Sequence, residues 1–269
     1  MGFELTPENY YSDIANYEYM SVSQYKDFVG TYGKPGCEEC AMAKIRGDYK
    51  PEPTTSMLMG SYVDAFYEGT LDQFKEEHPE LFTKRGEKRL LATYEKAEKA
   101  IERSLRDKLF QEYMSGEKQV IMTGELFGTK WKIKMDSYHS GRAIVDLKYM
   151  QSLTKFGYVP DIGYLDFVRY WGYDIQGAIY QEIVYQNTGK RLPFYIAGIS
   201  KEESPNIEVI YVHDTYLKEA LANVERNMPR ILEVKFDGVV PTRCETCDWC
   251  RDTKVLKRPI GIGDLVASL

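Results

Sequence analysis

The chain has 269 residues, 43% of them hydrophobic and 28% charged, the balance of a soluble globular protein with one sizeable domain. It contains no run of about 18 apolar residues and opens without the basic and apolar blocks of a secretory signal, so we expect a cytoplasmic protein with no membrane contact. A net charge of −6 argues against a generic nucleic-acid coat but leaves room for a locally basic DNA path.

Residues 1–20 read as a lead-in anchored by Tyr10, Tyr11, Tyr17 and Tyr19. Ser21-Val-Ser23-Gln-Tyr-Lys-Asp-Phe-Val predicts a capped helix with Ser23 as N-cap. A Pro-rich connector over 49–53 precedes an apolar helix from Ser56 to Glu68 that carries Asp64. Residues 70–92 are polar, and their cluster Lys84-Arg-Gly-Glu-Lys-Arg89 reads as a solvated loop. One long helix is expected from Ala92 to Met114, with Tyr94, Ala97, Ile101, Leu105 and Leu109 on its buried face. Segments 119–126, 131–138 and 143–149 alternate apolar and polar residues and are separated by glycine turns, which predicts a three-strand antiparallel meander. Residues 150–168 look irregular. A helix follows from Trp171 to about Asn187, then strands over 192–200 and 206–213, then an amphipathic helix from Asp214 to Phe236.

The chemistry concentrates in the meander. Side chains repeat direction every second residue on a strand, so Lys132, Lys134 and Asp136 share one face, as do Asp146 and Lys148 on the next strand. Two carboxylates on adjacent strands suit Mg²⁺ or Mn²⁺, which prefer oxygen ligands. A lysine two residues past the second carboxylate can orient a water or neutralise charge on a phosphate. Taken alone, an Asp-x-Lys on a strand is more often a surface ion pair.

Asp136 followed, after a glycine turn, by Asp146-Leu-Lys148 resembles the core of the PD-(D/E)XK nuclease superfamily. Trp171-Gly-Tyr-Asp-Ile-Gln176-Gly-Ala-Ile-Tyr180 resembles the Gln-x-x-x-Tyr motif of its RecB-like branch. Met59-Gly60-Ser-Tyr-Val-Asp64 stands where that branch has Gly-x-x-x-His, with aspartate in place of the histidine ligand. Within the branch, the order of parts over residues 20–255 is similar to phage and prophage recombination exonucleases of the RecE type. The resemblance implies an α/β fold with a restriction-endonuclease-like core, a central mixed sheet flanked by helices. It implies catalytic roles for Asp136, Asp146, Lys148 and Glu125, and metal ligation by Asp136 and Asp146 with Asp64. It further implies substrate contacts by Gln176, Tyr180 and Lys134.

All five cysteines fall in two clusters, Cys37-x2-Cys40 and Cys244-x2-Cys247-x2-Cys250. Paired thiolates at this spacing reach one ion, and a structural Zn²⁺ or a [4Fe–4S] cluster would each use four of the five. Unligated reduced thiols are the plainer alternative. Some RecB-like relatives join one N-terminal and three C-terminal cysteines in this way, which implies a clasp between the two ends of one domain spanning 1–269.

These readings converge on a Mg²⁺- or Mn²⁺-dependent deoxyribonuclease, an exonuclease processing duplex DNA ends. By resemblance it would work 5′ to 3′, as a homo-oligomer, beside a single-strand annealing recombinase. The alternatives are a restriction- or repair-type endonuclease on the same core and a catalytically silent DNA-binding protein.

Overall fold

A computed structural model describes residues 3–263. The N-terminal part is helical: α1 (Asp13–Glu18), α2 (Val22–Val29), a minimal ladder of β1 (Gly30–Thr31) with β2 (Lys34–Pro35), then α3 (Glu38–Arg46), α4 (Thr55–Glu68), α5 (Leu71–Glu77), α6 (Ala92–Leu105) and α7 (Lys108–Tyr113). The central part holds β3 (Val120–Leu126), β4 (Thr129–Met135), β5 (Ser137–His139), β6 (Ala143–Met150), β7 (Gly157–Val159) and β8 (Gly163–Leu165). The chain continues through α8 (Phe167–Tyr170), α9 (Tyr173–Thr188), β9 (Phe194–Ser200), β10 (Ile207–Val212), α10 (Asp214–Lys235) and α11 (Asp248–Asp252).

The main sheet has the order β10-β9-β6-β5. Strand β6 runs parallel to β9, with Asp146 opposite Ile196 and Lys148 opposite Gly198, while the outer pairs are antiparallel. This is the expected α/β architecture, a mixed sheet between helices. On one face, Ile144, Phe194 and Ile196 pack with α9 and α10; on the other, Val145, Leu147, Ala197 and Ile199 pack with α4 and α6. Burial on both faces explains why β6 is almost continuously apolar, and why the polar Asp146 stands out in it.

The meander is corrected. Its second strand breaks at Asp136 into β4 and β5: β4 forms its ladder with β3 in a separate hairpin and is bridged at Trp131 by Met20, whereas β5 joins β6 in the main sheet. Pairing of β6 with β9 spans about fifty residues and involves no hairpin, so local periodicity could not reveal it.

Three helix details also differ. The N-cap of α2 is Ser21, whose hydroxyl accepts from the Gln24 amide at 3.3 Å, and Ser23 lies inside the helix. The long helix divides because Asp107 accepts from the Phe110 amide at 2.9 Å and starts α7 as a fresh N-cap. Leu105 and Leu109, at that junction, are consequently exposed. Residues 150–168 contain the small hairpin β7–β8 and the start of α8.

Helix α9 crosses the sheet at close range. A Cβ on Gly177 would lie 2.5 Å from the Phe194 ring, so only glycine allows α9 to settle on β9 and bring Gln176 over β6.

Candidate active site

Strand β6 presents Asp146 and Lys148 to one side, as their two-residue spacing requires. Asp146 is only 2% exposed. Its Oδ1 accepts from Gln176 Nε2 at 2.6 Å, and its Oδ2 lies 2.6 Å from Lys148 Nζ. Apart from that ion pair, Oδ2 is buried with no hydrogen-bond partner. A buried carboxylate oxygen left with free lone pairs is costly, and a bound cation is one way to satisfy it.

Asp136 sits at the break between β4 and β5. Its Oδ2 accepts from the Leu147 amide at 2.8 Å, which pins the carboxylate beside β6, and Gln119 Nε2 reaches Oδ1 at 3.5 Å. Burial, and secondarily the charge of Asp146, push its acid up to about 7. Asp64, on α4, is raised well above the ordinary carboxylate range by burial first and then by Asp136. Burial alone would lower the Lys148 ammonium, but Asp146 and Asp136 outweigh it and hold the group firmly charged. Two carboxyls with suppressed ionisation, Asp64 and Asp136, stand with Asp146 around one ammonium, a site short of positive charge whose donor set suits a hard divalent cation.

These groups line one cavity of about 550 Å³, which also takes in Lys26, Lys134, Tyr173, Gln176 and Tyr180. The structure thus brings Asp64, Asp136, Asp146, Lys148, Lys134, Gln176 and Tyr180 together. Two of them are already engaged with protein rather than turned outward. The Gln176 amide holds Asp146, and the Tyr180 hydroxyl donates to the Lys134 carbonyl at 3.0 Å, bracing the strand that leads to Asp136. Lys134 Nζ lies over the Tyr11 ring at 4.8 Å, while Lys132 is buried and donates to Asn16 Oδ1 at 2.8 Å.

Glu125 is not part of this cavity. It is exposed at the turn end of β3, opposite Lys130, and Gln186 of α9 holds its backbone on both sides at 3.0 and 2.9 Å. Lys130 and Asp136 are six residues apart, which at about 3.3 Å per residue puts Glu125 some 20 Å from Asp136 along the hairpin.

The cysteines form a second candidate metal centre. The sulfurs of Cys37, Cys244, Cys247 and Cys250 all lie within 4.8 Å of one another, with Cys37 and Cys250 3.6 Å apart. Cys37 caps α3 and Cys247 caps α11, so two helix starts aim their thiols inward. Burial raises the Cys244 thiol, but hydrogen bonds from Thr246 and the Cys247 amide outweigh it and bring the group down to about 6, favouring the thiolate that ligates metal. Among the described residues these are the metal-ligating side chains gathered this tightly, and Cys40 stands outside the group. Glu38 and Arg230 tie the same region together at 2.7 Å.

A family model described as a PDDEXK-like domain of unknown function (DUF3799) matches residues 21–253. The chain belongs to this PDDEXK-like family. Its core is therefore that of the PD-(D/E)XK nuclease superfamily. A crystal structure of a "putative exonuclease" from Eubacterium rectale is 62% identical, with a TM-score of 0.96 and each chain covered completely by the other. No curated protein matches the chain. Among the described residues, no helix of this PDDEXK-like chain is long and apolar enough to cross a membrane.

Two cavity residues, Lys26 and Tyr173, and one charged neighbour, Glu68, escaped the sequence reading. Lys26 of α2 is lowered to about 8 by burial and by the nearby Lys148, and it reaches the Trp171 and Gly172 carbonyls at 3.4 Å. Tyr173 carries Lys148 Nζ over its ring at 5.2 Å and Lys26 Nζ at 5.3 Å. Glu68, one turn beyond Asp64 on α4, adds a like charge that raises both Asp64 and Asp136. Tyr173 had a signal, since it lies within the Gly-Tyr-x-x-Gln phrase. The other two had none.

Proposed function

We propose that the chain is a divalent-metal-dependent exonuclease that hydrolyses phosphodiester bonds at the ends of duplex DNA. The observation that carries this reading is the convergence of Asp136, Asp146 and Lys148 in one cavity, with the buried Asp146 Oδ2 held by the Lys148 ammonium alone at 2.6 Å. The printed name of the Eubacterium rectale relative supports the exonuclease class.

Asp136 and Asp146, with Asp64, would hold Mg²⁺ or Mn²⁺, which when bound polarises the phosphate and its attacking water. Lys148 is held charged by its carboxylate neighbours, so it is suited to orient that water or to stabilise negative charge building on phosphorus, and unsuited to accept a proton. Gln176 keeps Asp146 in orientation, a supporting role behind the metal ligands. Tyr180 fixes the backbone ahead of Asp136, and Lys134 offers a point charge to a neighbouring phosphate.

The ordered motifs favour RecE-type work on DNA ends, 5′ to 3′, by a homo-oligomer supplying single strands to an annealing recombinase. The cysteine centre would be structural, clasping α3 to α11 within one domain. What supports a single tetrahedral ion of the zinc type over a larger iron–sulfur cluster is the sulfur spacing: Zn–S bonds of about 2.3 Å place ligand sulfurs about 3.8 Å apart, and all four sulfurs here lie within 4.8 Å.

The test is digestion of duplex DNA labelled at either 5′ or 3′ ends, beside a closed circular control. Release of 5′ label first with the circle intact is expected. Cutting of the circle would replace this reading with an endonuclease on the same core.

A further inference from the structure

A second cavity, of about 450 Å³, opens beyond the C-terminal end of β6 and shares Tyr173 with the first. We propose that it is a nucleobase-stacking subsite, holding the base next to the phosphate placed at Lys148. The proposal rests on the nuclease reading of the first cavity and deepens it by locating the strand.

Six aromatic side chains line it, Tyr149, Phe156, Phe167, Tyr170, Trp171 and Tyr173. Phe156 is 63% exposed and Trp171 41% exposed, so both leave apolar ring surface in water at the cavity. Tyr170 meets Trp171 edge-on, with ring centres 5.1 Å apart at 88°, and Tyr173 forms the partition toward the metal-site cavity. The lining contains no carboxylate but two ammonium groups, those of Lys155 and Lys201. Rings plus cations without acids are the chemistry of single-strand recognition, in which bases stack and the backbone is neutralised. A size of several hundred Å³ admits a nucleotide unit.

Two further details fit. The Tyr149 side chain lines the cavity, and its hydroxyl is buried behind the ring with no hydrogen-bond partner. Lys201 Nζ lies over the Tyr149 ring at 5.2 Å and is tethered to the Ser56 carbonyl at 3.0 Å, which fixes its charge at the cavity wall. Because Tyr173 bears Lys148 on its ring and lines both cavities, a strand whose phosphate meets Lys148 has its adjoining base within reach of the second.

The test measures anisotropy of a labelled, 5′-phosphorylated single-stranded hexamer with the full chain in EDTA, beside an abasic hexamer carrying the same phosphates. Phe156→Ala and Trp171→Leu are expected to weaken binding of the base-bearing strand roughly 5- to 150-fold, the range for loss of one base–aromatic stack. Binding of the abasic strand should stay unchanged in both. Phe156 is surface-exposed, and Trp171→Phe, which keeps a ring, should retain most of the affinity, so misfolding is separable from lost stacking. Equal binding of both strands by the native chain, or native affinity in both substitutions, would overturn the subsite. If the native chain still degrades DNA in that event, the nuclease reading survives alone; if it neither binds nor degrades, both fall.

Discussion

Replacing Gln176 by leucine isolates the support that α9 gives to the site. Gln176 Nε2 donates to Asp146 Oδ1 at 2.6 Å, and Asp146 is 2% exposed, so the substitution strips a buried carboxylate of its only hydrogen bond and leaves the Lys148 ion pair. A hydrogen bond to a charged group contributes about 1.5–3 kcal/mol, and for a chain of this size each kcal/mol moves the melting temperature by about 2–4 °C. The folded protein should therefore survive with a melting point lower by several degrees. Losing the group that orients a metal ligand typically costs about 10- to 100-fold in metal affinity or rate. The assay is digestion of end-labelled duplex over a Mg²⁺ titration, fitted for kcat, KM and the half-saturating metal. We expect kcat to fall and the metal requirement to rise, with KM for DNA ends nearly constant. A raised KM at unchanged kcat and unchanged metal requirement would refute this, and would mean that Gln176 touches DNA instead.

Three other outcomes follow from the same geometry. The acid of Asp136 lies at about 7 in the folded chain against an ordinary 3.8, so the folded state keeps a proton that the unfolded state releases. Metal-free stability should fall as pH rises from about 4 to about 7 and then level off; Mg²⁺ competes with that proton, so the rise in melting temperature on adding Mg²⁺ should be larger at pH 8 than at pH 5. Cys250→Ser, which removes a fully buried sulfur 3.6 Å from Cys37, should abolish metal content measured by elemental analysis and lower the melting temperature, whereas Cys40→Ser should leave metal content intact. Glu125→Ala should leave the digestion rate unchanged, because the residue is exposed at the far end of the β3–β4 hairpin; a large loss of rate would put a second surface in the reaction.

Local pattern carried much of the site. Two-residue periodicity placed Lys132, Lys134 and Asp136 on one face, and all three do line the cavity. The four-residue spacing of Gln176 and Tyr180 put both on the inner side of α9, although each grips the protein around Asp136 and Asp146 rather than pointing outward. Glu125 was expected at the site by resemblance alone, which carries no distance, and the structure sets it at the turn end of the β3–β4 hairpin. Lys26 was illegible: it stands among polar residues on a short helix over a hundred residues before β6, where a lysine looks like any solvated charge. The choice between Cys37 and Cys40 was undecidable from spacing, since either can pair with the distal three. The structure selects Cys37, whose position as the cap of α3 directs its sulfur toward α11.

The central claim is that Asp146 and Lys148 form one metal-dependent catalytic unit. Its most direct test is the initial rate on linear duplex DNA with Mg²⁺, with Mn²⁺ and with EDTA, for the native chain, Asp146→Asn and Lys148→Ala. Activity is expected in the native chain with either metal and not in EDTA, with losses of at least several hundredfold in both variants while their folded circular dichroism persists. Native-like rates in Lys148→Ala, or undiminished digestion in EDTA, would contradict it.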